Sequence, residues 1–233
     1  MKGTIKMMAI TLCLGITSCK KIPVPNVAPT VSISTPADKA VFITGENIIL
    51  TSSASDTDGT ISKVEFFDGP TLLGSATATP YTYTWANASP GNHVLTVKAT
   101  DNSGAITTSL PINITVNIGF KATLNGASER PDPVTTVATG TSIGSYNITT
   151  KVLSVTTSYS GIVITAGHLH KGDATVAGPV IFGFSSPLAS PINFMSPVLN
   201  SIEEADLMGN LLYVNLHSMA FPGGEIRGQL LKQ

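Results

Sequence analysis

Tyr213-Val-Asn-Leu-His217, followed closely by Gly223-Gly-Glu-Ile-Arg-Gly-Gln229, decides the fold of this chain. Polar and aliphatic side chains alternate in both stretches. A period of two puts Tyr213, Asn215 and His217 on one strand face and Val214 and Leu216 on the other. Glu225, Arg227 and Gln229 share a face in the same way, opposite Ile226 and Leu230. The interval between the stretches carries Pro222-Gly-Gly224, which is turn chemistry, so the two read as paired strands with Glu225 and Arg227 beside Asn215 and His217. Upstream, Ala166-Gly-His-Leu-His170 repeats the alternation, with His168 and His170 opposite Leu169. The aliphatic sets are expected to face a core. The three imidazoles are then expected on the outer face, under the long segment from Ser185 to Gly209.

The rest of the sequence agrees with β structure. Thr, Val, Ile, Ser, Gly and Pro dominate, only 12% of the 233 residues are charged, and the formal net charge is −1. The basic stripe that nucleic-acid binding requires is absent. Short strands are expected at Thr30–Ser34, Asn47–Ala54, Ser62–Asp68, Thr71–Thr77, Tyr81–Trp85, Asn92–Thr100 and Ala105–Val116, separated by turn sequences such as Thr57-Asp-Gly59 and Ser89-Pro-Gly91. A second series follows at Phe120–Asn125, Thr139–Ile148, Val152–Ser158, Ile164–His170, Val180–Phe184, Leu211–His217 and Glu225–Leu231. The pattern predicts an all-β chain of two β-sandwich domains, at residues 30–117 and 118–233. One short helix is expected at Ser201–Met208, capped by Ser201 with Glu204 completing a capping box.

Several stretches resemble known families. Residues 1–18 have the form of a secretory signal, with Lys2 and Lys6 ahead of an apolar run too short to span a bilayer. Its end, Ile16-Thr-Ser-Cys19, resembles the lipobox of bacterial lipoproteins. That resemblance implies lipidation of Cys19, attachment to the membrane of the cell envelope and, by analogy with Lys20 after the cysteine, sorting to the outer membrane. Residues 19–29 carry three prolines and read as an extended tether. The other cysteine, Cys13, falls inside the removable segment, so no disulfide is expected in the mature chain. Ala54-Ser-Asp-Thr-Asp-Gly-Thr-Ile-Ser-Lys-Val-Glu-Phe-Phe-Asp68, Pro80-Tyr-Thr-Tyr-Thr-Trp85 and Val97-Lys-Ala-Thr-Asp-Asn-Ser-Gly104 resemble a bacterial Ig-like repeat, implying an immunoglobulin-like spacer or adhesion module. Ala122-Thr-Leu-Asn-Gly126 with Glu129-Arg-Pro131, Gly167-His-Leu-His-Lys-Gly172, Leu212-Tyr-Val-Asn-Leu-His217 and Phe221-Pro-Gly-Gly-Glu-Ile-Arg-Gly-Gln229 resemble, in order, a CHRD domain.

Three readings of the C-terminal polar cluster stand side by side. It is a hydrogen-bonded network in which Arg227 pairs with Glu225 or Glu129. Alternatively, His168, His170 and His217 hold one Cu or Zn ion, since two imidazoles at i and i+2 plus a third on the next strand supply three nitrogens. Or the patch, with Asn215, Glu225 and Glu129 as further candidates, recognises an envelope protein or an acidic glycan through Arg227 and the histidines. The pattern is similar to the His-x-His of Cu/Zn superoxide dismutase, but the domain has no fourth histidine, which rules out a two-metal site of that kind. In the first domain Asp56, Asp58 and Asp101 could serve Ca²⁺, against the plainer reading that Asp-x-Asp-Gly is turn chemistry. Neither a nucleophile elbow nor an opposed carboxylate pair is evident. The expectation is a non-enzymatic binding, adhesion or structural protein, with a metalloprotein as the alternative.

Overall fold

The computed structural model describes residues 24–233, so the signal-like segment and Cys19 lie outside the described residues. The first domain comprises β1 (Thr30–Thr35), β2 (Ala40–Ile43), β3 (Ile48–Ser55), β4 (Ile61–Asp68), β5 (Thr71–Ala76), β6 (Tyr81–Trp85), β7 (Gly91–Asp101), β8 (Ile106–Thr108) and the start of β9 (Ile112–Asn125). Strands β1, β3 and β6 form one layer; β5, β4 and β7 form the other, extended by β8, β9 and β2. Ile48, Leu50, Val64, Phe66, Leu95 and Val97 fill the space between them. The second domain continues with β10 (Thr139–Asn147), β11 (Val152–Ser160), β12 (Ile164–Lys171), β13 (Val180–Gly183), β14 (Ile192–Met195), α1 (Ser201–Met208), β15 (Leu212–Ser218), β16 (Ile226–Gln229) and β17 (Leu231–Lys232). Its strands run in the order β13-β12-β15-β16-β9-β10-β11-β14. The sheet folds over on itself, bringing Phe182 of β13 and Phe184 beyond it to 5.9 and 5.1 Å from the Phe194 ring of β14. Both domains are β-sandwiches.

Strand β9 belongs to both. Ile114 and Val116 point into the first core, while Ile118, Phe120, Ala122 and Leu124 point into the second. The even-numbered side chains of one uninterrupted strand therefore line two cores in succession, as period two demands. Gly119 sits at the crossing, where its N–H donates to Thr44 Oγ1 and its carbonyl accepts from Gln233 N. A Cβ there would come within 2.3 Å of Ile43 Cγ2, so the glycine makes room for a side chain of the neighbouring domain.

Four local expectations change. The strand expected at Ala105–Val116 breaks at Ser109-Leu-Pro111, because Pro111 has no N–H to donate. Ser109 Oγ accepts from Val97 N at 3.1 Å in place of a ladder partner. Strand β2 was not expected; it pairs in parallel with the distant β9. The Ser185–Gly209 segment is not a cover for the histidines, since it supplies β14, which pairs with β11 at the opposite end of the sheet path, and helix α1. That helix is capped one residue earlier than expected: Asn200 Oδ1 accepts from the N–H groups of Ile202 and Glu203, and Glu203 accepts from Asn200 N. Asn is as good an N-cap as Ser, and the box moves with it. No helix among the described residues is long and apolar enough to cross a membrane.

Replacing Phe120, which is 1% exposed in the second core, with Ala should lower stability by about 3–5 kcal/mol. Denaturant unfolding followed by fluorescence measures the loss.

Candidate functional site

Register places three rows of side chains on one face of the second domain. In β12, β15 and β16 the Cα partners run His170, Tyr213, Gln229, then His168, Asn215, Arg227. A third row begins with Ala166 and His217, and Glu225 follows as its N–H donates to Leu216 O. The opposite face carries Leu169, Val214, Leu216 and Ile226, all in the core as the alternation predicts.

The polar face points away from the apolar core, yet it is buried. His170, Asn215, His217, Glu225 and Arg227 are all less than a tenth exposed, and His168 is half-buried. The cover comes from three nearby turns, at 126–136, 172–178 and 218–224. Arg227, 2% exposed, donates to Val176 O at 2.7 Å and to Asp173 O at 2.5 Å. Its guanidinium lies 3.4 Å from the centroid of the Tyr213 ring, whose other neighbour is the His170 ring at 4.9 Å. Gln229 donates to the carbonyls of Gly172 and Asn210. Glu225 accepts from Thr136 Oγ1 at 2.6 Å. The expected pairing of Arg227 with Glu225 or Glu129 is thus replaced by backbone carbonyls and an aromatic face. Both are good partners for a planar, weakly hydrated cation.

The histidines converge. His170 Nδ1 lies 2.9 Å from Gly178 O, and His217 Nδ1 lies 3.0 Å from Pro222 O. A carbonyl only accepts, so both Nδ1 atoms carry the proton and both Nε2 atoms present a lone pair. His168 Nδ1 sits 2.9 Å from His217 Nε2 and therefore donates to it. His170 Nε2 is buried with no partner. Burial lowers the pKa of all three rings; for His168 the charges of His217 and His170 add to the effect, and for His170 those of His217 and Arg227 do. The rings are accordingly held neutral. One nitrogen from each ring falls within 4.8 Å of the others, and among the described residues this is the one cluster of three ligand-type side chains so arranged.

Next to the histidines lies Glu129, 3% exposed. Its Oε2 accepts from Asn215 Nδ2 at 3.2 Å, but Oε1 has no partner, nor does Asn215 Oδ1. Burial pushes the Glu129 pKa up to about 7 despite Asn215 and the nearby Arg227, which pull it down. Gly224 packs directly on this pair, at a φ of +133° that favours glycine.

The sequence reading found the histidines, Asn215, Glu129, Glu225 and Arg227. It missed Tyr213 and Gln229 as parts of the site, although both share the parity of Asn215. It also missed the backbone carbonyls of Gly178 and Pro222, for which sequence carries no signal. In the first domain Asp101 Oδ1 accepts from Ser103 N and Ala105 N, and Oδ2 from Asn26 Nδ2. Asp58 accepts from Val27 N, and Asp56 from Asp58 N. The bonds from Asp58 N, Ser103 N and Ala105 N are local turn bonds, those from Asn26 and Val27 come from the preceding segment, and Asp56 Oδ2 is buried without a partner. His93 is engaged between Asp68 and Ser89 O, edge-on to Trp85.

Residues 120–230 match the family model described as CHRD domain, and residues 29–97 match one described as bacterial Ig domain. The two matches follow one another along the chain, the bacterial Ig domain first and the CHRD domain second. No curated protein matches it. Fibronectin(III)-like modules of Clostridium thermocellum CbhA are 30% identical over 37% of this chain and 94% of theirs, with a TM-score of 0.36. A structure titled for carbohydrate-binding modules of the β-sandwich superfamily is 14% identical over 90% of this chain and 94% of its own, with a TM-score of 0.34. The Bacteroides ovatus protein SGBP-B, solved with a mixed-linkage heptasaccharide, is 13% identical over 86% of this chain and 66% of its own, at 0.30.

Two outcomes are expected. Glu129 is neutral in the fold up to about 7 but ionises at 4.5 when unfolded, so its contribution to stability is present below 4.5 and is lost as pH rises towards 7. The histidines act in the opposite sense, so the comparison is with Glu129→Gln: subtracting the variant's pH profile of Tm from that of the parent should leave a fall over this window. Gly178→Ala would place a Cβ 1.5 Å from Lys171 O, and should open the 172–178 turn, seen as rapid limited proteolysis there.

Proposed function

From a chain that joins a bacterial Ig domain to a CHRD domain, we propose a lipid-anchored, non-enzymatic binding protein of the bacterial cell envelope, whose CHRD domain holds one Cu or Zn ion on His168, His170 and His217. Both matched families are non-catalytic. The observation that carries the metal reading is the pair of Nδ1–H···O=C bonds to Gly178 and Pro222, which leave both Nε2 atoms unprotonated while one nitrogen of each ring lies within 4.8 Å of the others. A second bond from the far ring nitrogen to a carbonyl is how metal-ligating histidines are generally oriented. Three imidazoles and no thiolate suit Zn²⁺ or Cu²⁺ and leave a coordination position for water or a ligand.

For His168 to ligate through Nδ1, its proton would have to shift to Nε2; protonation of the ring nitrogens by acid would release the ion. Bonds of about 2.0–2.1 Å require the three nitrogens to draw closer than 4.8 Å. His168, the least buried ring, is the one free to swing. The Ig domain would act as spacer, and Cys19 as the point of lipid attachment, sorted to the outer membrane as Lys20 after it suggests by analogy.

Elemental analysis of the purified full-length protein should find about one Cu or Zn per chain, lost in His168→Ala/His170→Ala. A correctly folded parent that takes up neither metal on dialysis would overturn the reading. Cys19→Ala should move the protein from the membrane to the soluble fraction of cells.

A further inference from the structure

A cleft of about 450 Å³ opens beside the polar cluster, between the 129–132 segment and the 220–224 turn. Pockets of roughly 300–1,000 Å³ are the usual size for small-molecule ligands. Its wall includes Glu129, whose Oε1 is buried and unpartnered. Arg130 lines it with a guanidinium already fixed, since one nitrogen donates to both Ala127 O and Glu129 O. Asp132 adds an exposed acceptor, while Phe221 and Pro222 add apolar surface.

Complementarity narrows the occupant. An anion meets Glu129 and Asp132, and a cation meets Arg130 with Arg227 behind it, so neither sign of charge is selected. A purely apolar ligand would strip water from Asp132 and Arg130 without replacing its hydrogen bonds. The ligand must donate to carboxyl oxygens, accept from a guanidinium and lay C–H surface on Phe221 and Pro222. Vicinal hydroxyls on a ring with an apolar face do all three.

We propose that this cleft binds a neutral saccharide unit, with Asp132 accepting from its hydroxyls and Arg130 donating to them. The inference extends the binding role proposed above without depending on the metal. Pro222 belongs both to the cleft and to the carbonyl that orients His217. The two sites are therefore neighbours that a single variant series can separate.

The test is a ¹H–¹⁵N NMR titration of the full-length protein with chitotriose, cellotriose and maltotriose. At least one should produce saturable shifts centred on residues 129–132 and 221–224. Arg130→Ala and Asp132→Ala, at partly and fully exposed positions, should weaken that binding at least tenfold without altering the rest of the spectrum. Absence of saturable shifts at these residues with all three sugars overturns the proposal, as does binding unchanged in both surface variants. Titrating His168→Ala in parallel, with its metal content measured, tells failure of the sugar site from failure of the metal site.

Discussion

The buried guanidinium of Arg227 is the interaction on which the C-terminal site depends. Taking such a charge out of water costs several kcal/mol unless its donors are met. Here they are met by the carbonyls of Asp173 and Val176, and the flat face of the cation rests on Tyr213. Those contacts fix the 172–178 turn over the sheet. The turn in turn brings Gly178 O to His170 Nδ1 and Gly178 N to the Tyr213 hydroxyl. Without the arginine, two carbonyls lose their donors and the ring that stacks on His170 loses its other support. A carboxylate partner would have neutralised the charge but would not have held the turn.

The strands were largely legible because each layer has one wet or polar face and one apolar face, which leaves period two in the sequence. Leu169, Val214, Leu216 and Ile226 were assigned to the core by parity alone, and all are there. What parity cannot convey is pairing with a distant partner. Strand β2 is four residues long and gains its ladder only from β9, and β14 gains its ladder only from β11. The junction shows the same limit. Ile114 to Leu124 reads as one alternation, but nothing in it says that the apolar face passes from one core to the next.

For the site, residue types and strand faces were readable, while their cover was not. Burial of the outer face depends on turns whose backbone atoms do the work: the carbonyls of Gly172, Asp173, Val176, Gly178 and Pro222. Every residue, proline included, supplies a backbone carbonyl, so composition gives no hint of which one is used. The expectation that Arg227 pairs with a carboxylate failed for this reason. Gly178 is the partial exception, because a side chain there would collide with Lys171 O.

A polar network built only for stability ends in matched donors and acceptors, since an unmatched buried atom is costly. This one does not. The carbonyls of Gly178 and Pro222 spend the protons of His170 and His217 on the outside of the cluster, leaving lone pairs on the inside. His168 has one Nδ1 proton to offer and gives it to His217, so His170 Nε2 faces the cluster with nothing to accept. Turning a ring to repair that deficit would sacrifice a carbonyl bond. The metal ion proposed above would supply the electron-pair acceptor that His170 Nε2 lacks. Glu129 Oε1, near the edge of the cleft, is likewise buried without a hydrogen-bonding partner.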